Sequence, residues 1–331
     1  MPGDHQVISR ASPSHAGEVE LQRQTGAAER MDAVGRKVVR DFMPDQHRDF
    51  FAQLPFIVVG AVDREGDVWA TLAEGEPGFV TSPDPRTLRI SAMRDGADPA
   101  DSGVGDGADV GLLGIELHTR RRNRMNGRLR REGADRFTVS VEQSFGNCAK
   151  YIQLRDFSFA AAGGYARPAA TELNGLDGQA REMIQSADTF FVASYAGLAD
   201  GRRQVDVSHR GGKPGFVRID ESGGLTIPDF AGNHFFNTLG NILANGRAGL
   251  LFIDFETGDL LQLTGDAEVI LDSPEIAAFE GCERAWTVRP RRMVYRAAAT
   301  GLRWSRHGEW LSPFSRKTGS WPEPRMPSID A

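Results

Sequence analysis

Residues 68–92 read VWATLAEGEPGFVTSPDPRTLRISA, and residues 205–229 read VDVSHRGGKPGFVRIDESGGLTIPD. The two stretches align without a gap and share G-x-P-G-F-V followed by L-x-I at equal spacing. A second pair behaves the same way: DVGLLGIELHTRRRNRMNGRL from Asp109 aligns with RAGLLFIDFETGDLLQLTGDA from Arg247. The offset is 137 residues in the first pair and 138 in the second, and 14 of 46 aligned positions are identical. Roughly 3 identities would be expected from average composition. Each copy is too long for a solenoid unit. The pattern predicts two similar domains, and the differences between them mark where function was kept.

Composition sets the outer limits. The chain has 331 residues, 40% of them hydrophobic, and a formal net charge of −6. That length suits one or two domains with real cores. The acidic balance argues against general nucleic-acid or anionic-membrane binding. Cys148 and Cys282 are the only cysteines, which excludes a disulfide framework or a Cys-rich metal site. The seven histidines show no ligand spacing, so no metal is expected. MPGDHQVISR lacks the apolar stretch of a signal peptide, and no run reaches the length of a membrane span. The expectation is a cytoplasmic protein.

The expected organisation is an N-terminal arm (1–45), a first repeat (46–170), a second repeat (171–311) and a Pro-rich tail (312–331). In the arm, His15, Glu18 and Gln22 fall on one face of any helix there. That face belongs either to a solvated arm or to one folded over a site on the body. A short helix at 49–54 is followed by short apolar or alternating runs at 56–63, 68–73, 87–91, 111–117, 123–129 and 136–142, with Gly/Pro turns between them. Such spacing predicts a small antiparallel barrel or sandwich. The Gly/Asp-rich stretch 95–109 reads as a mobile loop, whereas its counterpart 235–246 reads as a packed helix. In the second repeat, strands at 286–296 and 303–310 are expected to close the barrel.

The repeats differ most after their second strands. Ser208-His209-Arg210-Gly211-Gly212-Lys213 is basic, hydroxylated and glycine-rich, whereas Thr71-Leu72-Ala73-Glu74-Gly75-Glu76 is acidic. A phosphate needs close backbone N–H groups and Arg or Lys charge, and the second repeat alone offers both. A solvated turn would carry the same residues. Conversely, Thr119–Arg131 (TRRRNRMNGRLRR) holds seven arginines where its partner has none. On a strand, Arg120, Arg122, Arg124 and Asn126 share one face. The alternatives are an edge strand protected by charge, a basic wall for an anionic ligand, or an arginine-rich RNA contact. Gly232-Asn233, before the predicted helix, is either an ordinary turn and cap or an anion-binding helix start. Cys148 in GNCAKYIQLR is either a buried structural cysteine or an activated nucleophile.

Together these segments resemble the FMN-binding split-barrel proteins related to pyridoxine (pyridoxamine) 5′-phosphate oxidase. The resemblance is carried by DFMPDQHRDFFAQLPFIVVGAVD, PGFVTSPDPRTL, GLLGIELHTRRRNRMNG, SFGNCAKYIQLR, DVSHRGGKPGFV, IPDFAGN and GLLFIDF, and spans most of residues 12–310. It implies a mainly β (α+β) fold: two tandem six-stranded antiparallel Greek-key barrels with flanking helices, forming a pseudo-dimer within one chain. FMN would lie in the groove between them. By position, Ser208, His209, Arg210, Gly211 and Lys213 would hold the phosphate and ribityl side. Ile227, Pro228 and Asp229 would run beside the flavin, and Gly232 and Asn233 would stand at the helix start. Arg122 and Arg124 would reach across from the first repeat. The family often has Arg-Lys at the helix start, which this chain lacks. The C-terminal region RAAATGLRWSRHGEWLSPF also lacks the family's vitamer-gripping Arg-Leu-His-Asp-Arg-like segment, so pyridoxine phosphate oxidation is not expected.

The resemblance therefore implies an FMN-dependent oxidoreductase acting on a small molecule, with NAD(P)H or a separate reductase as electron donor. The alternatives are a flavin or haem carrier, with His209 or His15 as haem ligand, an electron-transfer partner, or a deazaflavin protein. A homodimer of pseudo-dimers is compatible with it.

Overall fold

The computed structural model describes residues 12–160, 169–306 and 308–322; residues 1–11 of the arm and 323–331 of the tail lie outside them. The arm forms helices α1 (Ala16–Gln24) and α2 (Ala28–Val38), and α3 (Asp45–Ala52) follows. Seven strands come next: β1 (Phe56–Val62), β2 (Val68–Glu74), β3 (Val80–Asp84), β4 (Thr87–Ile90), β5 (Asp109–Glu116), β6 (Arg121–Arg131) and β7 (Phe137–Gly146). The connecting segment holds β8 (Arg155–Phe159), β9 (Thr171–Glu172) and α4 (Gly178–Ser186). Next come β10 (Thr189–Gly197), β11 (Arg203–Gly211), β12 (Arg218–Ile219), β13 (Leu225–Phe230), α5 (Asn237–Asn245), β14 (Arg247–Ile253) and β15 (Leu260–Ile270). Helix α6 (Pro274–Ala278), β16 (Cys282–Arg296) and β17 (Leu302–Arg306) end the described fold.

The fold is mainly β, built on two antiparallel sheets of split-barrel type. The first runs β2-β1-β5-β6-β7-β4-β3 and the second runs β11-β10-β14-β15-β16-β13-β12, with β9 added beside β16. Strand for strand the orders are the same. Each path has seven strands rather than six, because the short hairpin partners β3 and β12 pair onto the edges. The strand at 302–306 does not close the second barrel. It pairs with β8 in a separate two-stranded sheet, Leu302 opposite Phe159. A partner about 140 residues away leaves no local trace in the sequence.

Each barrel has its own core. Ile57, Val59, Leu112 and Val139 lie in the first, and Val192, Leu250, Leu263 and Trp286 in the second. A third cluster lies between the barrels, with Phe56, Val58, Val68 and Leu113 packed on Ala193, Val205, Val207 and Leu251. Strand β1 is therefore buried along its whole length. Alternate residues face its own core and the other barrel. Two glycines set the approach distance. A Cβ on Gly111 would stand 2.8 Å from the Asp206 Cα, and one on Gly249 would stand 2.1 Å from the Val68 carbonyl oxygen. These are matching positions of the aligned blocks, so the two barrels meet reciprocally.

The Asp-rich stretch expected to be mobile is tied down. Ala100 is fully buried, Asp98 pairs with Arg296 at 3.0 Å, and Asp95 pairs with the same guanidinium. Composition suggested a loose loop because the cation that orders it lies some 200 residues further along the chain.

Candidate functional site

Strand β6 of the first barrel runs past β11 of the second, and its alternation aims Arg122 and Arg124 at that strand. The Arg122 Nε donates to the Cys148 carbonyl at 2.8 Å, and its Nη1 lies 3.3 Å from His209 Nδ1. Arg124 is buried; its Nη1 reaches Asp206 at 2.9 Å and the Asn237 Oδ1 at 2.6 Å, and its Nη2 donates to the Ser208 hydroxyl. The other face of β6 is spent differently, with Arg121 over the Phe50 ring at 5.2 Å. The arginine-rich strand is thus neither a bare edge nor a solvated face. It joins the barrels.

Strands β6, β11 and β13, the 147–151 segment and the start of α5 enclose a cleft with about 860 Å³ of empty space, including its mouth. Five cationic side chains line it: Arg122, Arg124, Lys150, Arg210 and Arg284. Asp229 is the one lining carboxylate. It is shared by Arg210 at 3.2 Å and Arg284 at 3.1 Å. Burial and the neighbouring Arg124 push the Arg122 guanidinium down to about 9, and burial lowers Arg124 as well. Desolvation, with Arg122 and Arg210 alongside, holds His209 well below the ordinary imidazole range, so it is neutral. Such a set of cations can take up negative charge, although Arg124, Arg210 and Arg284 also have carboxylate partners.

Unpaired buried atoms point the same way. Arg124 Nε, Arg210 Nε and His209 Nε2 have no hydrogen-bond partner. A guanidinium only donates, so His209 Nδ1 accepts from Arg122 and the Nε2 carries the proton. All three are donors without a protein acceptor, a costly arrangement unless a ligand or water oxygen completes it. The chain reaches α5 through His234 (φ 61°) and Phe236 (φ 58°), both left-handed. Non-glycine residues there cost of order 1–2 kcal/mol each.

Nine of the twelve residues expected from sequence line this cleft: Arg122, Arg124, His209, Arg210, Gly211, Pro228, Asp229, Gly232 and Asn233. Three do not. Ser208 lies behind the wall, bonded to Arg124 and Thr238. Ile227 is a core residue, since alternation along β13 turns it inward with Leu225. Lys213 is bound to the Thr318 carbonyl beyond the end of β11. Sequence reading missed Arg284, Asn147, His234 and Asn237, which also line the cleft. None belongs to a repeated motif. Lys150 and Tyr151 were visible as neighbours of Cys148, and they line it too.

The pseudo-equivalent cleft of the first barrel carries its own carboxylates, Glu74, Asp95, Asp98 and Asp101. Leu72, Ala73 and Glu74 stand where the second barrel has His209, Arg210 and Gly211. Gln262 replaces Arg124 and donates to the Ala70 carbonyl and Asp98. Of the three arginines on that side, Arg296 is paired with Asp95 and Asp98 and Arg94 with Asp101, while Arg131 donates from Nε to the Val104 carbonyl and has one buried Nη1 without a partner.

Comparison with known proteins bears on the second barrel. Residues 176–305 match the model of the family described as pyridoxamine 5′-phosphate oxidase. No curated protein matches the chain. Among solved structures, HupZ from Group A Streptococcus is similar at 15% identity, over 35% of this chain and 91% of its own, with a TM-score of 0.28. An FMN-binding protein from Syntrophomonas wolfei is 10% identical over 38% of this chain and 96% of its own, TM-score 0.26. The haem storage protein HutZ from Vibrio cholerae is 15% identical over 37% and 95%, TM-score 0.26.

Proposed function

We propose, from the match of residues 176–305 to the pyridoxamine 5′-phosphate oxidase family, that the chain is an FMN-binding flavoprotein and a redox enzyme acting on a small organic molecule, with one cofactor in the cleft between the barrels. The observation that carries this reading is the set of buried donors without acceptors, Arg124 Nε, Arg210 Nε and His209 Nε2, inside a cleft lined by five cations and one carboxylate. FMN brings a phosphate and ring carbonyl oxygens, the acceptors this set lacks.

Arg210 and Arg124 would hold anionic oxygen, with the Gly211 backbone allowing close approach. A Cβ at Gly211 would stand 2.1 Å from the Tyr151 carbonyl, so that position admits glycine alone. His209 would donate from Nε2 with its tautomer fixed by Arg122. Arg122 keeps a positive charge beside the cleft that favours any anion formed there. Bound flavin supplies hydride and single-electron chemistry. The protein's part is to bind, orient and shield, so no side-chain acid or base is required.

The same tautomer weighs against haem ligated by His209, because a protonated Nε2 has no lone pair for iron. His15 offers no better ligand, being the N-cap of α1 with its Nδ1 accepting from the Gly17 amide at 3.2 Å. The test is anaerobic addition of NADH or NADPH to the FMN-loaded chain. Bleaching of the flavin band supports an enzyme that takes electrons from a nicotinamide. A band that stays oxidised with both assigns the protein to carriers or to partners of a separate reductase. Among the described residues no helix is long and apolar enough to cross a membrane.

A further inference from the structure

Helix α1, from the arm, lies across α5, whose first residues line the cleft. A Cβ on Gly17 would stand 2.2 Å from the Gly240 carbonyl oxygen, and one on Gly240 would stand 2.7 Å from Glu18 Cγ. The helices therefore cross at a distance that only glycine permits, which fixes Glu18. Its carboxyl is 2% exposed, takes the His15 amide at 3.0 Å and takes the Asn237 side-chain NH₂. Gln22, one turn on, reaches the Phe235 carbonyl at 3.4 Å. The face His15/Glu18/Gln22 thus grips the segment that opens α5.

The polarity of the chain of contacts is fixed by chemistry. Arg124 can only donate, so the Asn237 Oδ1 must face it, at 2.6 Å, and the Asn237 NH₂ must face Glu18. From the glycine crossing and this relay we propose that Glu18 is a positioning residue of the anion cleft: through Asn237 it fixes the Arg124 guanidinium against the ligand, so that the N-terminal arm is part of the site. The proposal rests on the cleft being an anion site, as argued above. Without Glu18 the Asn237 amide is free to turn, and Arg124 keeps only Asp206 and the Ser208 hydroxyl.

The relay also makes binding sensitive to pH. The titratable and charged groups facing Glu18 are His15 on its own helix, Asp206 on β11 and Arg124 on β6; α5 offers the neutral Asn237. Burial raises Glu18 to about 8. Below that pH it is neutral, and the arginine charge is left for the ligand. Above it, a carboxylate in the network opposes a bound anion, so affinity falls as pH rises.

The experiment compares the full chain with Glu18→Gln and Glu18→Leu, measuring dissociation constants for FMN and for pyrophosphate at pH 7 and pH 8.5, alongside thermal unfolding. Glu18→Leu should weaken both probes about tenfold or more at pH 7, the loss of one charge-assisted contact. Glu18→Gln, which can still accept from Asn237, should stay within about threefold of wild type at pH 7. It should also lose the wild-type fall in affinity toward pH 8.5. A folded Glu18→Leu chain that binds both probes like wild type overturns the proposal, as does a Glu18→Gln chain with the wild-type pH slope. If Glu18→Leu does not fold, the pH slope of Glu18→Gln decides alone. Pyrophosphate binding with this Glu18 dependence but no FMN binding removes the flavin reading and keeps the positioning role. Binding of neither probe by wild type overturns both.

Discussion

Replacing Arg210 by alanine separates the cleft's binding role from its structural role. The Arg210 side chain is 24% exposed and holds Asp229 through one contact at 3.2 Å, while its buried Nε has no partner. Asp229 keeps Arg284, whose Nε and Nη2 both lie 3.1 Å from the second carboxylate oxygen. Losing the half-screened Arg210 contact should therefore cost folding stability no more than about 1 kcal/mol. Losing a charge-assisted donor to phosphate should cost binding about 1.5–3 kcal/mol, a weakening of roughly 10- to 150-fold. The assay is quenching of FMN fluorescence on titration with protein, at two ionic strengths, alongside a thermal melt. Salt should weaken the wild type more than the variant, because one charge fewer is screened. FMN affinity within about threefold of wild type would refute the placement of the phosphate near Arg210, as would a loss of binding that merely follows a large fall in stability.

Other consequences can be measured directly. Glu74→Ala in the carboxylate-lined cleft of the first barrel should leave FMN affinity unchanged, although the loss of its bonds to Thr300 and to the Gly301 amide lowers the melting temperature. Gly249→Ala should destabilise the chain by about 1–3 kcal/mol through overpacking where the barrels touch, visible as a shifted denaturant midpoint; an unshifted midpoint would mean the barrels are not held that closely. Burial and Arg124 lower Arg122, but a guanidinium stays charged through this range. FMN affinity of Glu18→Gln, in which the Glu18 titration is absent, should thus be flat from pH 7 to 8.5. His209 is depressed, so its folded form stays neutral while the unfolded chain binds a proton below about 6.5. Its stability contribution is present above that pH and is lost as pH falls, and His209→Gln should flatten the acid limb of a melting-temperature profile.

The parts of the fold carried by local pattern were legible. Alternation and Gly/Pro turns located the strands, because each needs its own residues to bury a face. Arg122, Arg124 and Arg210 stood out because an aligned counterpart lacked the charge, at Leu260, Gln262 and Ala73. Arg284 and Asn147 were missed because each matters through a distant partner and repeats nothing. Ile227 was misplaced by carrying a motif over as a block. Along β13, neighbours face opposite ways, so Pro228 reaches the cleft and Ile227 the core. The 95–109 stretch and the 302–306 strand share another cause: the groups that order them, Arg296 and β8, are remote in sequence. The arm's polar face was read as either solvated or folded over a site, and the burial of Glu18 and Gln22 decides for the second.

The central claim is asymmetry: two barrels of one topology, one cleft lined by five cations and one carboxylate and the other by three cations and four carboxylates. The measurement that tests it most directly is the visible spectrum of the purified chain after saturation with FMN and removal of excess, with mass analysis of what is released on denaturation. One FMN per chain is the predicted result. Two per chain would contradict the asymmetry of the clefts, and a colourless chain that takes up no FMN would contradict the cofactor assignment.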